Sequence, residues 1–411
     1  MPSSQPSRTP ILMLNLTEHQ RGNPVALTLS QQRQVREIFD ARFEPAENGC
    51  VRVIPGARVG AATVDDLHIV VTPKVPVFRI IHMIGVAADP FGWRPDDVAG
   101  LSATSVTDAI AALFARACIR AFGFGIYRTY RTERLTLSHV KGRIDVARYI
   151  RSPLPVPVPV DATVHDDHTA ENQVLRAACD ALRRLSELST RTHTDLASVW
   201  KVVREVGLLH EPLRTAQQIV WSRHNAHYRT AVRLAELVLR SQSVTITSGT
   251  VPVPGFVLNM PSIVENYVRA LIREELGADD TEMPTSWKGR LTLDRGRQIG
   301  LIPDLGMRRN GRWEFIGDVK YKVAQRLSAD QKHEQGRQDD LYQLHAYVTE
   351  AGLDEGTLVY AGMAQSEVVH TVRATGARLR VVAVDLTADD IDAQVRGVVR
   401  VEPGRTVHLA P

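Results

Sequence analysis

One stretch restricts the fold of this chain more than any other. Ile302-Pro303-Asp304-Leu305 opens an apolar run, Arg309-Asn310-Gly311-Arg312 interrupts it, and a second run carries Asp318, Lys320 and Lys322. An Asn-Gly pair between two apolar runs favours the tight turn of a β-hairpin, so the runs are expected to pair as antiparallel strands over Ile299–Met307 and Trp313–Tyr321. Strand side chains alternate between faces, which puts Asp318 and Lys320 on one side. Asp304, from the partner run, can reach the same spot.

That pattern suits phosphodiester hydrolysis. A hard divalent cation, Mg2+ or Mn2+, needs oxygen ligands; Asp304 and Asp318 supply two, and the backbone carbonyl of Val319 is a candidate third. Such a cation polarises a phosphoryl group and acidifies water, while Lys320 can orient the water and offset charge on the phosphate. Glu265 falls on the apolar face of a helix expected at Pro261–Leu276, where a carboxylate needs a partner or a metal, and is a further candidate ligand. Gln343, four residues before Tyr347 on a helix expected at Asp339–Ala351, is a candidate for positioning substrate or water. Between Lys288 and Arg312 seven basic residues face two acids, Asp294 and Asp304. Lys288, Arg290, Arg308, Arg309 and Lys322 are therefore candidates to meet a phosphate backbone. Asp-x-Lys alone is a weak pattern, and it recurs at Asp330-Gln331-Lys332 without an acid on a paired strand; a surface hairpin carrying an ion pair is the competing reading.

A chain of 411 residues exceeds one comfortable core, so more than one domain is expected. Residues 1–250 read as an α+β region, β-rich to about 165 and helical over about 166–245. Ser105-Val-Thr-Asp108 has the form of a capping box. Prolines at 153, 155, 157 and 159 argue for an edge strand or an extended arm. After a Thr/Ser/Gly/Pro-rich boundary at Val244–Pro254, residues 251–411 read as an α/β domain around a central mixed sheet. The net charge of +4 permits a polyanionic partner without demanding one. Three widely spaced cysteines with no Cys-x-x-Cys pair argue against a zinc ribbon or an iron–sulfur site and fit a reducing, cytoplasmic setting. The most apolar region, Leu67–Ala87, is broken by Lys74 and Arg79, so no membrane span is expected. His165-Asp166-Asp167-His168 crowds its ligands into one turn, and helix capping by Asp167 or Thr169 is the better reading.

At the residues named above, the chain resembles the McrC family, the nuclease subunits of McrBC-type restriction systems. The resemblance rests on Val264-Glu265-Asn-Tyr267, Pro303-Asp304, Asp318-Val-Lys320-Tyr321-Lys322 and Asp340-Leu-Tyr342-Gln343. Pro73-Lys74-Val75, Lys141-Gly142-Arg143-Ile144-Asp145, Glu171-Asn172 and Arg223-His-Asn225 extend it towards the N-terminus. It implies a C-terminal domain of the restriction-endonuclease-like, PD-(D/E)xK class with Asp304, Asp318 and Lys320 catalytic. It further implies an N-terminal region that docks on an McrB-like AAA+ GTPase hexamer and stimulates it, with double-stranded DNA as substrate. No Gly-Lys dipeptide occurs, so no Walker A loop exists and GTP would be bound by the partner, not by this chain. The function expected is that of an endonuclease subunit acting on 5-methylcytosine-type modified DNA. A stand-alone exonuclease or repair nuclease of the same class, and a non-cutting adaptor that grips DNA or activates the motor, are the alternatives.

Overall fold

The computed structural model describes residues 12–88, 105–123, 125–185, 188–242, 255–321, 331–362 and 365–399. Contacts divide the chain into two compact units, one of Met1–Leu101 with Val244–Pro411, the other of Ser102–Ser243.

The first unit begins with β1 (Leu12–Thr17), β2 (Pro24–Val25), α1 (Leu29–Phe39), β3 (Arg42–Pro45), β4 (Val51–Ile54), β5 (Arg58–Val64), β6 (Leu67–Thr72) and α2 (Val77–Ala88). A reciprocal capping box fixes the start of α1: the Thr28 hydroxyl accepts the Gln31 N–H, and the Gln31 side chain accepts the Thr28 N–H. The apolar region flagged in the sequence thus divides into β6, whose alternate residues are buried, and α2, which buries Ile80, Ile81, Met83, Ile84 and Val86. Among the described residues no helix is long and apolar enough to cross a membrane.

The second unit holds α3 (Val106–Phe122), β7 (Thr129–Leu137), β8 (Arg143–Ile144), α4 (Val146–Tyr149), β9 (Val158–Asp166), α5 (Ala170–Arg183), α6 (Thr190–Val203), α7 (Pro212–Gln217) and α8 (Arg229–Gln242). Ser105 caps α3 through the Asp108 N–H, but the Asp108 carboxylate does not return to close a capping box; it accepts the Ser189 N–H at 2.8 Å and ties α3 to the start of α6. Thr169 caps α5, as one of the two expected residues. The proline-rich stretch corrects the sequence reading. Pro159 lies in β9, which is the central strand of the sheet β7-β9-β8 rather than an edge. Near the start of the strand its missing N–H costs one ladder bond only, and its carbonyl accepts the Asp145 N–H at 3.0 Å.

The chain then returns to the first unit as β10 (Gly255–Asn259), α9 (Met260–Glu275), β11 (Leu291–Thr292), β12 (Gly300–Leu301), β13 (Leu305–Arg309), β14 (Arg312–Tyr321), α10 (Gln331–Ala351), β15 (Glu355–Ala361), β16 (Ser366–Thr371), β17 (Arg378–Val384) and α11 (Ile391–Arg396). The sequence boundary near residue 250 coincides with one edge of the second unit. The N-terminal 101 residues, however, group with the C-terminal part. The reason is a long-range pairing. β10 adds antiparallel to β5, completing the sheet β1-β6-β5-β10. Gly60 makes this approach possible: with φ at +129°, a Cβ there would sit 2.1 Å from the Phe256 carbonyl oxygen. Polar contacts join the two stretches as well. Arg79 on α2 pairs with Asp389 at 2.6 Å, and His82 Nε2 lies 2.8 Å from Asp392 Oδ1, which also accepts the Tyr267 hydroxyl at 2.5 Å.

The five-stranded sheet runs β13-β14-β15-β17-β16 and is mixed: β14, β15 and β17 are parallel, while β13 and β16 lie antiparallel at the two edges. Asn310 and Gly311 both take positive φ, 51° and 79°, as the two-residue hairpin requires. Ile316, Leu344, Tyr347, Val348, Leu358 and Tyr360 form the apolar core between this sheet and α10. Ile316, Asp318 and Lys320 share strand parity, so the sheet face that begins as core ends as a polar site.

Candidate functional site

The strand expected over Ile299–Met307 is broken where Pro303 denies a ladder donor, leaving β12 and β13 separated by residues 302–304. Asp304 therefore sits on a turn just ahead of β13. Its Oδ2 accepts the backbone N–H of Val319 at 3.0 Å, which brings this carboxylate to the middle of the Asp318–Lys320 segment. Lys320 Nζ lies 2.5 Å from Asp318 Oδ2. Asp318 is 2% exposed, and that oxygen is buried without a well-directed hydrogen bond.

The electrostatics follow from this crowding. Burial, and then the neighbouring Asp304 carboxylate, push the Asp318 carboxyl up to about 7, against the pull of Lys320. Burial alone would lower the Lys320 ammonium, but Asp318 beside it reverses the direction and raises it. Two carboxylates forced together beside an incompletely satisfied buried oxygen form a donor set that suits a hard divalent cation. Among the described residues no three metal-ligating side chains converge. A cation here would draw two side-chain ligands from Asp304 and Asp318 and the remainder from backbone and water.

The other sequence candidates fall in different places. The Glu265 carboxylate is taken by Arg269, one turn along α9. Burial raises the Glu265 carboxyl; Arg269 and Lys320 oppose that shift and Asp304 adds to it, so Glu265 shares the field of the site while its own partner is the arginine. Gln343 accepts Lys320 Nζ at 3.1 Å and donates to the Tyr347 hydroxyl at 2.7 Å, and Tyr347 donates to the Ile302 carbonyl at 3.1 Å. Gln343 thus steers the lysine. Lys288 and Arg290 are exposed. Arg308 caps its own hairpin by donating to the Gly311 carbonyl at 2.8 Å. Arg309 is engaged by Glu282 at 2.7 Å and Glu314 at 3.4 Å, which leaves its charge largely matched within the protein. Lys322 lies outside the described residues.

Arg269 is the residue that sequence reasoning passed over. It is 4% exposed, and its Nε and Nη2 both donate to the Asp304 carbonyl, at 3.0 and 2.9 Å, while Nη1 donates to Asn266 at 2.8 Å. With Tyr347 on the Ile302 carbonyl, both ends of the Asp304 turn are held. The signal was present as an Arg four residues after Glu265 on an apolar helix face. Arg269→Met is expected to cost about 2–4 kcal/mol in denaturant unfolding, because a carbonyl and a carboxylate lose their buried donor; a loss below the measurement error would show that the clamp is dispensable.

Comparison with known proteins bears on the whole chain. The family model for the McrBC 5-methylcytosine restriction system component matches residues 56–361. The chain belongs to this family. No curated protein matches it. Among solved structures, the McrBC-family chain is similar to a chain of the refined half-complex from the tetradecameric assembly of Thermococcus gammatolerans McrB AAA+ hexamers with bound McrC. That match has 15% identity and a TM-score of 0.54, covering 94% of this chain and 99% of that one. A chain of the cryo-EM structure of the Thermococcus gammatolerans McrBC complex is 17% identical over 64% of this chain and 88% of that one, with a TM-score of 0.42. At these identities the first likeness speaks to the fold. The family match spans β5 to β15 and therefore includes Asp304, Asp318, Lys320 and the clamp around them.

Proposed function

We propose that this McrBC-family chain is the nuclease subunit of a modification-dependent restriction system, a metal-dependent DNA endonuclease of the PD-(D/E)xK class. The observation that carries this reading is the convergence of Asp304, Asp318 and Lys320 on one spot at the end of β14. Asp304 and Asp318 would hold a Mg2+ or Mn2+ ion, which would supply Lewis acidity to the scissile phosphate and to water. Lys320, steered by Gln343, would hold the attacking water in line and offset the charge that builds on the phosphoryl oxygens. Arg269 and Tyr347 keep the Asp304 turn in place, so that little reorganisation is left for the reaction.

The missing phosphate loop and the composition of the similar assembly, McrB AAA+ hexamers with bound McrC, support an McrB-like AAA+ GTPase as the partner that binds GTP and drives cutting. In the second unit, Val140, Ile144, Val146 and Ile150 are exposed around the Lys141-Gly142-Arg143 turn, and this apolar surface is the docking candidate. A cleavage assay on methylated duplex DNA tests the assignment. Cutting is expected with divalent metal, GTP and the partner together, and not in chelator. Cutting by the purified chain with metal alone would favour a stand-alone nuclease. No cutting under any of these conditions, with partner GTP hydrolysis still stimulated, would leave the chain a motor adaptor.

A further inference from the structure

The hairpin of β11 and β12 immediately precedes the Asp304 turn, and no role above uses it. Leu291 opposes Leu301, and Thr292 opposes Gly300. Continuing the register outward, the Leu293 N–H donates to the Ile299 carbonyl at 2.9 Å, so Leu293 opposes Ile299 on the same face as Leu291 and Leu301. The inner pair is packed: Leu291 is 5% exposed and Leu301 lies against the core of the mixed sheet. The outer pair is in solvent, with Leu293 46% and Ile299 53% exposed. The tip itself is held by main-chain hydrogen bonds. The Asp294 carboxylate accepts the N–H groups of Gln298 and Ile299 at 2.9 and 2.8 Å, and the Arg297 N–H donates to the Asp294 carbonyl at 3.1 Å. Asp294 is thereby committed to the main chain, while Arg295 and Arg297 are exposed beside the aliphatic pair.

We propose that this tip, with Leu293 and Ile299 flanked by Arg295 and Arg297, inserts into the minor groove of the DNA duplex next to the phosphate to be cut. A hairpin whose tip is closed by main-chain hydrogen bonds, and which carries aliphatic side chains beside two arginines, matches the chemistry of groove wedges, where guanidinium groups favour the negative groove and apolar side chains lean on base steps. Charge complementarity selects DNA over an apolar protein surface. Chain length sets the distance: Asp304 follows Ile299 by five positions, a reach of at most about 18 Å. The proposal rests on the nuclease reading for its substrate, and it names the element that grips the duplex beside the site.

The test is fluorescence anisotropy on a short labelled duplex in Ca2+, across a salt series, for the whole chain and two double variants with unchanged melting temperature. Arg295→Ala with Arg297→Ala is expected to lower the slope of log affinity against log salt by about 2. Leu293→Ala with Ile299→Ala is expected to weaken binding about tenfold while leaving that slope intact, since it removes apolar contact and no charge. Wild-type affinity and slope in both variants would overturn the proposal, as would an aliphatic variant that binds DNA normally but no longer associates with the AAA+ partner. The nuclease reading fails separately: Asp318→Ala with an intact hairpin should bind the duplex and not cut it, and cutting by that variant would remove the catalytic assignment whatever the hairpin does.

Discussion

Changing Lys320 to Ala is expected to reduce DNA cleavage by about 100- to 10,000-fold without reducing the partner's GTP hydrolysis, because one positioned amine would both orient the water and meet the charge of the transition state. The comparison that sharpens this result is Gln343→Ala. Gln343 accepts from Lys320 at 3.1 Å and touches neither acid in the hydrogen-bond network. Its loss should loosen the lysine rather than remove it, and a drop of about tenfold is expected, in the turnover number more than in KM. Quench-flow cleavage assays with a saturating partner measure both. A Lys320→Ala chain that cuts at the wild-type rate would reduce the amine to an ion-pair partner for Asp318.

The second large effect concerns pH. The Asp318 carboxyl is pushed up to about 7 by burial and by Asp304, whereas an unfolded Asp titrates near about 3.9. The folded chain therefore holds the extra proton between those values, and this group's contribution to stability falls as pH rises through the window from about 4 to about 7. A cation must displace the same proton. Metal affinity is expected to weaken about tenfold per pH unit below about 7 and to level off above it, with a proton released on binding. Calorimetry in two buffers of different ionisation enthalpy would count that proton. In Asp318→Asn the acid-side stability should change little and the neutral-pH stability should rise, since no carboxylate remains to be buried charged. A pH-independent affinity for metal would contradict the shared-proton account.

The hairpin and the two candidate residues beside it, Asp318 and Lys320, could be read from the sequence because the information is local: Asn310-Gly311 fixes the turn, and strand alternation puts the acid and the amine on one face. Asp304 was placed on the correct run but in the wrong local setting, since Pro303 breaks the strand and the acid rides on a turn. The grouping of residues 12–88 with the C-terminal part depends on β10 pairing with β5 across nearly two hundred residues of sequence, which no local period encodes. The role of β9 as a central strand was hidden by Pro159 and the three alternate prolines just ahead of it, whose cost depends on where the neighbouring strand stops. Arg269 was missed for a related reason. Its partner is a backbone carbonyl, and a carbonyl leaves no trace in residue identity.

The most direct test of the central claim, that two acids from adjacent segments share one cation, is a Mn2+ titration followed by electron paramagnetic resonance on the isolated chain near pH 8. The wild type should show a saturable site that is lost in Asp304→Asn and in Asp318→Asn and retained in Glu265→Gln. Equal Mn2+ binding by all four proteins would show that Asp304 and Asp318 do not hold the metal, and the nuclease assignment would lose its foundation.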